Sequence, residues 1–407
     1  MLVRIGYCNE EDAFYSGKKA ADMAMEQGGI KSPDLVMAFC HGQLDHSEFF
    51  RGLRTVVGPD APIIGGSAAG VITNDYLSYK GFPSCAALIE SAGVRWSIAV
   101  EGGLDIDERQ AGRNLAARLS PTGSDSLLFI LYDSIQCPAK DNFPPQLNAS
   151  SPLIAGIEQG FPADVPIIGA GVLGDYDMNP TKQFCGSYVA DQSVVGLLLG
   201  GGLTPYYRIM HGCTPLDGIY HVITRMEGSV IYELDNKPIV GMIDELYGNQ
   251  DWRSKNPVSL LTIGVNHGKR FGEPEEAAYV NRLIIGALPE GAGVSLFEPD
   301  LMTGTEIQFM LRDSDMMIAS AKANSAQLME QILADGKRPV FAIYIDCAGR
   351  TAEYLNIMSE EAQEVQTILN QYRTPLLGFY SGVEIAPLLQ KSRGLDWTGV
   401  LLVFAED

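Results

Sequence analysis

The chain lacks a long uninterrupted apolar run, a paired cysteine motif and an excess of positive charge, and each absence removes a class of function. Its longest apolar stretch, Ser193 to Leu203, carries four glycines and is far shorter than the ~20 residues a bilayer span requires. The start, Met1-Leu-Val-Arg-Ile5, has no basic region leading into an apolar run, so no secretory signal is expected. The seven cysteines, Cys8, Cys40, Cys85, Cys137, Cys185, Cys213 and Cys347, are dispersed with no C-x-x-C pair. That scatter reads as reduced thiols of a cytoplasmic protein rather than a disulfide framework. His41, His46, His211, His221 and His267 show no E-x-x-H or H-x₃-H spacing, so neither a metal nor another cofactor is expected. Lys and Arg number 29 against 50 Asp and Glu, a formal net charge of −21. Such a balance speaks against a nucleic-acid partner, because phosphate binding draws on basic side chains, and against an anionic membrane surface.

What is present is repetition. A chain of 407 residues, 46% of them hydrophobic, can build two or three substantial cores. Four segments end an aliphatic run on glycine: Pro62-Ile-Ile-Gly-Gly-Ser67, Pro166-Ile-Ile-Gly-Ala170, Arg282-Leu-Ile-Ile-Gly-Ala287 and Pro375-Leu-Leu-Gly-Phe-Tyr380. Each reads as a buried strand leaving a sheet through a tight turn. The prolines at 62, 166 and 375 are separated by 104 and then 209 residues, about two unit lengths, with the weaker copy near the missing position. Repetition of this kind describes how a whole chain is assembled.

Around each segment the pattern alternates. In the first unit, Leu2 to Tyr7 is a strand, Phe14 to Gln27 a helix, Asp34 to Phe39 a buried strand and Ser47 to Val57 an amphipathic helix. The second unit repeats this with Val94 to Val100, Ile106 to Leu119, Ser126 to Tyr132 and Pro152 to Gln159. The last repeats it with Glu306 to Leu311, Met317 to Leu333, Pro339 to Ile345 and Glu360 to Tyr372. Extra strands follow at Ser84 to Glu90, Cys185 to Ala190 and Thr398 to Phe404. The expected class is α/β, with repeated strand–helix–strand units forming mixed sheets covered by helices. Gly202 to Pro257 breaks the pattern with a hairpin around Glu227-Gly228. Three glycines at 200–202 read as a linker, which places one domain at 1–202, with two units. The other is at 203–407, with an irregular hairpin region, a degenerate unit over 257–305 and a clear last unit.

Several of these residues also carry a family resemblance. Asp34-Leu-Val-Met-Ala-Phe39 and Pro62-Ile-Ile-Gly-Gly-Ser-Ala-Ala-Gly70 resemble the N-terminal domain of FIST proteins. Asp346-Cys-Ala-Gly-Arg350, Glu360, Gly378-Phe-Tyr-Ser-Gly-Val-Glu-Ile-Ala-Pro387 and Asp396-Trp-Thr398 resemble the C-terminal one. The resemblance covers nearly the whole chain. It implies a sensory, signal-transducing module that binds a small ligand, amino acids being a suspected class, and that acts on a separate output protein, since no output domain is visible. Two departures stand out. Gly70-Val-Ile72 lacks the acid often found there, and Val383 precedes Glu384 where glycine is usual.

Ligands of α/β sheets bind beyond the carboxyl ends of strands, and here those ends are polar: Cys40-His41, Asp133-Ser134, Asn266-His267 and Asp346-Cys347. The last unit is the expected site. Arg350 could clamp a carboxylate and Glu384 an ammonium, with Tyr380, Ser381, Cys347 and Gly349 beside them and Gly66 and Ser67 offering a second glycine turn. Against this, the glycines could serve only the chain turn, and Arg350 with Glu384 could be an ordinary salt bridge. Two further readings stay open: an enzyme using Cys347 on a small carboxylate or amide, its thiolate favoured by Arg350, and a scaffold that binds only protein.

Overall fold

The computed structural model describes residues 1–122, 125–138, 145–161, 165–255 and 257–407. Three copies of one unit make up its body. Each runs strand, helix, second strand, helix, third strand, closing strand. In unit one these are Leu2–Asn9, Ala13–Glu26, Leu35–His41, His46–Val57, Ile63–Ala68 and Pro83–Glu90. In unit two they are Val94–Gly102, Glu108–Leu119, Asp125–Asp133, Ser150–Gly160, Ile167–Val172 and Ser193–Gly201. In unit three they are Thr204–Met210, Ser314–Ala334, Arg338–Cys347, Glu361–Gln371, Leu376–Leu388 and Gly399–Glu406. Every unit has the sheet order opening, closing, second, third. Only the second and third strands are parallel, as a helical crossover between them requires. Four of the six unit helices begin where the chain offers an acceptor to free backbone N–H groups: Asp12, Asp45, Asp107 and Asp313 cap their first turns.

The recurrent glycines prove to have a different purpose from turning the chain. Gly65, Gly169 and Gly378 lie inside the third strands. A Cβ there would sit 1.8, 1.9 and 2.7 Å from the carbonyl oxygens of Ala38, Ile130 and Tyr344 on the parallel neighbour. On the other side these glycines pair with Phe184, Ile385 and Ile72, each from another unit. Unit two contributes Gln183–Cys185 to unit one, unit three contributes its strand beyond Ser381 to unit two, and unit one contributes Val71–Thr73 to unit three. The exchange closes on itself, so each third strand has its outer edge covered. The strands of units two and three join in one eleven-stranded sheet, and the inner faces of all three units share a single core that includes Phe39, Phe129, Phe341 and Phe379, with Phe39 and Phe379 stacked at 4.1 Å. The helices pack on the outer faces.

Four expectations need correction. The opening strand of unit three is Thr204–Met210, paired with Gly399–Glu406, not Glu306 to Leu311. The glycines at 200–202 follow no linker pattern: Gly200 and Gly201 end the closing strand of unit two and the next strand begins at Thr204. The stretch Cys185 to Ala190 is not one strand but the turn and second arm of a hairpin, Gln183–Cys185 with Tyr188–Ala190, whose first arm pairs with unit one. Finally, no fourth unit forms over 257–305. Residues 213–312 are an insertion built on a nine-stranded sheet whose pairings are antiparallel, with its own core around Trp252, Ile263 and Phe309. Among the described residues no α-helix lies between its strands Leu261–Asn266 and Glu306–Arg312. The aliphatic-glycine segment there, Ile284–Ala287, pairs antiparallel with Val294–Leu296. A few matching residues without flanking helices cannot specify the unit. No described helix is long and apolar enough to cross a membrane.

Candidate functional site

The second strands of units two and three end at one cavity of about 500 Å³. Unit two supplies Ser134 and Ile135 just past its second strand, and Leu173 just past its third. Unit three supplies Cys347, Ala348 and Gly349, then Ser381 and Gly382, then Asp396 and Trp397. Tyr79 of unit one and Pro257, Leu283 and Phe297 of the insertion complete the wall, with Tyr176 and Tyr354 beside them. The corresponding strand end of unit one is closed instead: the Gly42 amide donates to the Gly174 carbonyl at 2.8 Å, and a Cβ on Gly42 would meet Gly174 backbone at 2.6 Å.

Of the residues expected at the site, Cys347, Gly349 and Ser381 line this cavity. Arg350, Tyr380 and Glu384 are buried and are not among its lining residues. Arg350 donates from Nε and Nη2 to the two oxygens of Glu361, at 2.9 and 2.5 Å, and from Nη1 to the carbonyls of His211 and Trp397, at 2.9 and 2.6 Å. Its ion-pair partners are therefore Glu361 and, at 3.5 Å, Asp346. Glu384 accepts instead from Ser381 Oγ at 2.8 Å and the Thr398 amide at 3.2 Å. The Tyr380 ring meets Tyr79 edge-on at 5.8 Å. Gly66 and Ser67 lie at the junction of units one and two, where Ser67 Oγ bonds His46 Nε2 at 2.8 Å and accepts from the Lys182 amide at 2.8 Å.

Burial controls the electrostatics. It pushes Glu384 well above the usual carboxylate range, and it does the same to Asp346, where the neighbouring Glu361 adds to the effect. Asp396 is pushed up to about 7, by burial and then, against the pull of Arg282, by Glu298. The Cys347 thiol is raised by burial first and by the nearby Glu384 second, effects that outweigh Arg350, so this cysteine is held as the thiol, a poor nucleophile.

Asp396 and Trp397, not among the residues expected at the site, also line the cavity. Asp396 is 4% exposed; its Oδ2 accepts from the Leu283 amide of the insertion at 2.8 Å. The indole of Trp397 is stacked by Arg312, 3.4 Å from the ring centre, and its buried Nε1 has no partner among the described residues. Gly349 makes room for it: a Cβ there would fall 2.0 Å from the indole Cζ3. Asp396-Trp-Thr398 was visible only as a motif of the resemblance, since no spacing links residue 396 to residue 134 or 283. Glu360, part of the same resemblance, accepts from Tyr79 Oη at 2.5 Å and thereby ties the unit-one wall of the cavity to unit three.

Fold and cavity together define an α/β protein of three interlocked units with a partly open cavity where units two and three meet. The chain belongs to the FIST family: the FIST N domain matches residues 34–237 and the FIST C domain residues 242–387. Domains of this family are small-ligand sensors of signal transduction. No curated relative matches the sequence. Among solved structures the chain is similar to a chorismatase, with a TM-score of 0.36 and 10% identity over 100% of this chain and 98% of that one. It is also similar to cyanuric acid hydrolase from A. caulinodans, with a TM-score of 0.31 and 10% identity over 100% and 99%. A third is T. maritima PurL complexed with FGAR, with a TM-score of 0.22 and 9% identity over 99% and 72%. At such TM-scores these likenesses say nothing of function.

Proposed function

We propose that the protein is a cytoplasmic small-molecule sensor whose ligand occupies the cavity and whose state is passed to a separate output protein. The observation that carries this reading is the composition of the wall. Tyr79, Ser134, Leu283 and Trp397 come from unit one, unit two, the insertion and unit three. A ligand touching all four favours whichever arrangement of them it fits, which is what a sensor needs. The size lies within the ~300–1,000 Å³ usual for small-molecule sites. An amino acid or small carboxylate was the ligand expected from Arg350, but that guanidinium is committed to Glu361, so the carboxylate clamp finds no support in the geometry. The enzyme reading finds none in the protonated, buried Cys347.

A thermal-shift screen of small molecules tests the proposal, because a ligand of the native state raises Tm with the logarithm of saturation. Leu147, half-buried on the wall, is the position to fill. Hits should lose their shift in Leu147→Trp. Shifts that persist unchanged in that variant would place the ligand elsewhere.

A further inference from the structure

Resting on the sensor reading, the chemistry of the wall narrows the ligand. Two charged side chains line the cavity, Glu353 and Asp396, and both are acids; among the described residues no lysine or arginine does so. Glu353 sits at the exposed side and pairs with Lys80 at 3.2 Å. Asp396 is buried, uses Oδ2 on the insertion, and has no described partner for Oδ1. Behind the wall lie two further carboxylates, Asp346 and Glu384.

The cations nearby stand behind the wall, not on it. Arg350 is held by Glu361 at 2.5 Å and Arg282 by Asp300 at 2.5 Å. Arg312 lies on the Trp397 indole and donates to the Ser259 carbonyl at 2.7 Å, with no ion-pair partner and an unbonded Nε among the described residues, and it does not line the cavity. Apart from the hydroxyls of Ser134, Thr351 and Ser381, the rest of the wall is apolar or aromatic, Phe297, Leu173, Tyr176 and Tyr354 among it.

We propose that the cavity selects molecules carrying a protonated amine on an apolar body of roughly aromatic size, with Asp396 as the counter-charge. An ammonium placed at Asp396 Oδ1 gains a charge-assisted hydrogen bond in a site screened from water, and the tyrosine and phenylalanine rings add favourable cation–π and apolar contact. A carboxylate in the same place meets acids and finds no cation on the wall, so its desolvation is poorly offset. Burial lifts Asp396 to about 7, so an incoming ammonium draws it into the ionised form.

The test is a calorimetric titration of the whole chain with three matched probes: 2-phenylethylammonium, 2-phenylethanol and 3-phenylpropanoate. The ammonium should bind at least about tenfold more tightly than the alcohol, equivalent to about 1.4 kcal/mol, with the carboxylate weakest. In Asp396→Asn the ammonium should fall to within about twofold of the alcohol, while the alcohol keeps its affinity, a change of the size expected for losing one charged partner. A carboxylate that binds as tightly as the ammonium overturns the proposal, and so does an ammonium preference that survives Asp396→Asn. The wild-type series decides the matter even if that variant folds poorly. If the alcohol or the carboxylate is preferred and Leu147→Trp abolishes its binding, the amine class falls while the sensor cavity stands. If no probe binds, or binding ignores Leu147→Trp, both fall together.

Discussion

At the scale of the residue, Arg350 is the clearest case of a functional group absorbed by structure. It joins Glu361, the His211 carbonyl at the entrance to the insertion and the Trp397 carbonyl in the cavity wall. Removing one partner of such a buried pair leaves an uncompensated charge, at a cost of about 3–5 kcal/mol. Arg350→Ala should therefore lower stability by that order in urea unfolding; loss of ligand binding at unchanged stability would contradict the assignment. Asp396 carries the pH prediction. Its folded value of about 7 lies above the ordinary 3.8, so the folded state holds the proton more tightly, and the associated stability is full below about pH 4 and lost as pH rises toward 7. Asp396→Asn, which does not titrate, should gain on the wild type between pH 5 and pH 8, checked by denaturant unfolding at both. A difference that stays flat or reverses would show that the carboxyl is not buried as described. Iodoacetamide at neutral pH should label the exposed Cys137 well before Cys347; first labelling at Cys347 would revive the enzyme reading. At this scale the polar strand ends Asp133-Ser134 and Asp346-Cys347 were legible in the sequence. The partner of Arg350 was not, because Glu361 and Glu384 are both plausible acids at loop distance and only the backbone path selects between them.

At the scale of the element, local signals carried far. Apolar spacing located helices such as His46–Val57 to within a residue or two, and continuous aliphatic runs located the second strands. What the pattern could not reveal was which strand meets which. Val71–Thr73 and Gln183–Cys185 pair outside their own units, and nonlocal pairing leaves no periodic trace. The glycine of the repeat was found but misread, since a close backbone approach and a turn both require the missing Cβ. The distinction is testable. Gly169→Ala places a methyl 1.9 Å from the Ile130 carbonyl oxygen and should cost about 1–3 kcal/mol or more, as overpacking does, seen as a clear fall in Tm. A neutral result would mean the strands are further apart than described.

At the scale of the whole molecule, three units exchange strands in a cycle around one core, and the insertion is fastened across units two and three. Glu298 of the insertion accepts from Ser150 and Ser151 at the start of a unit-two helix, Arg282 donates to the Gly394 carbonyl, and the Leu283 amide reaches Asp396. Repetition announced three of the units from sequence, although the opening strand of the third, Thr204–Met210, stands 104 residues from its helix at Ser314 and escaped notice behind the insertion. The cavity was invisible for the same reason, being assembled from residues between 79 and 397. It lies where all four parts meet. Hydrogen–deuterium exchange with and without a bound small molecule tests that placement most directly. Exchange should slow at once around Tyr79, Ser134, Leu283 and the segment Cys347 to Tyr354. Protection confined to one part, or absent from all four, would contradict it.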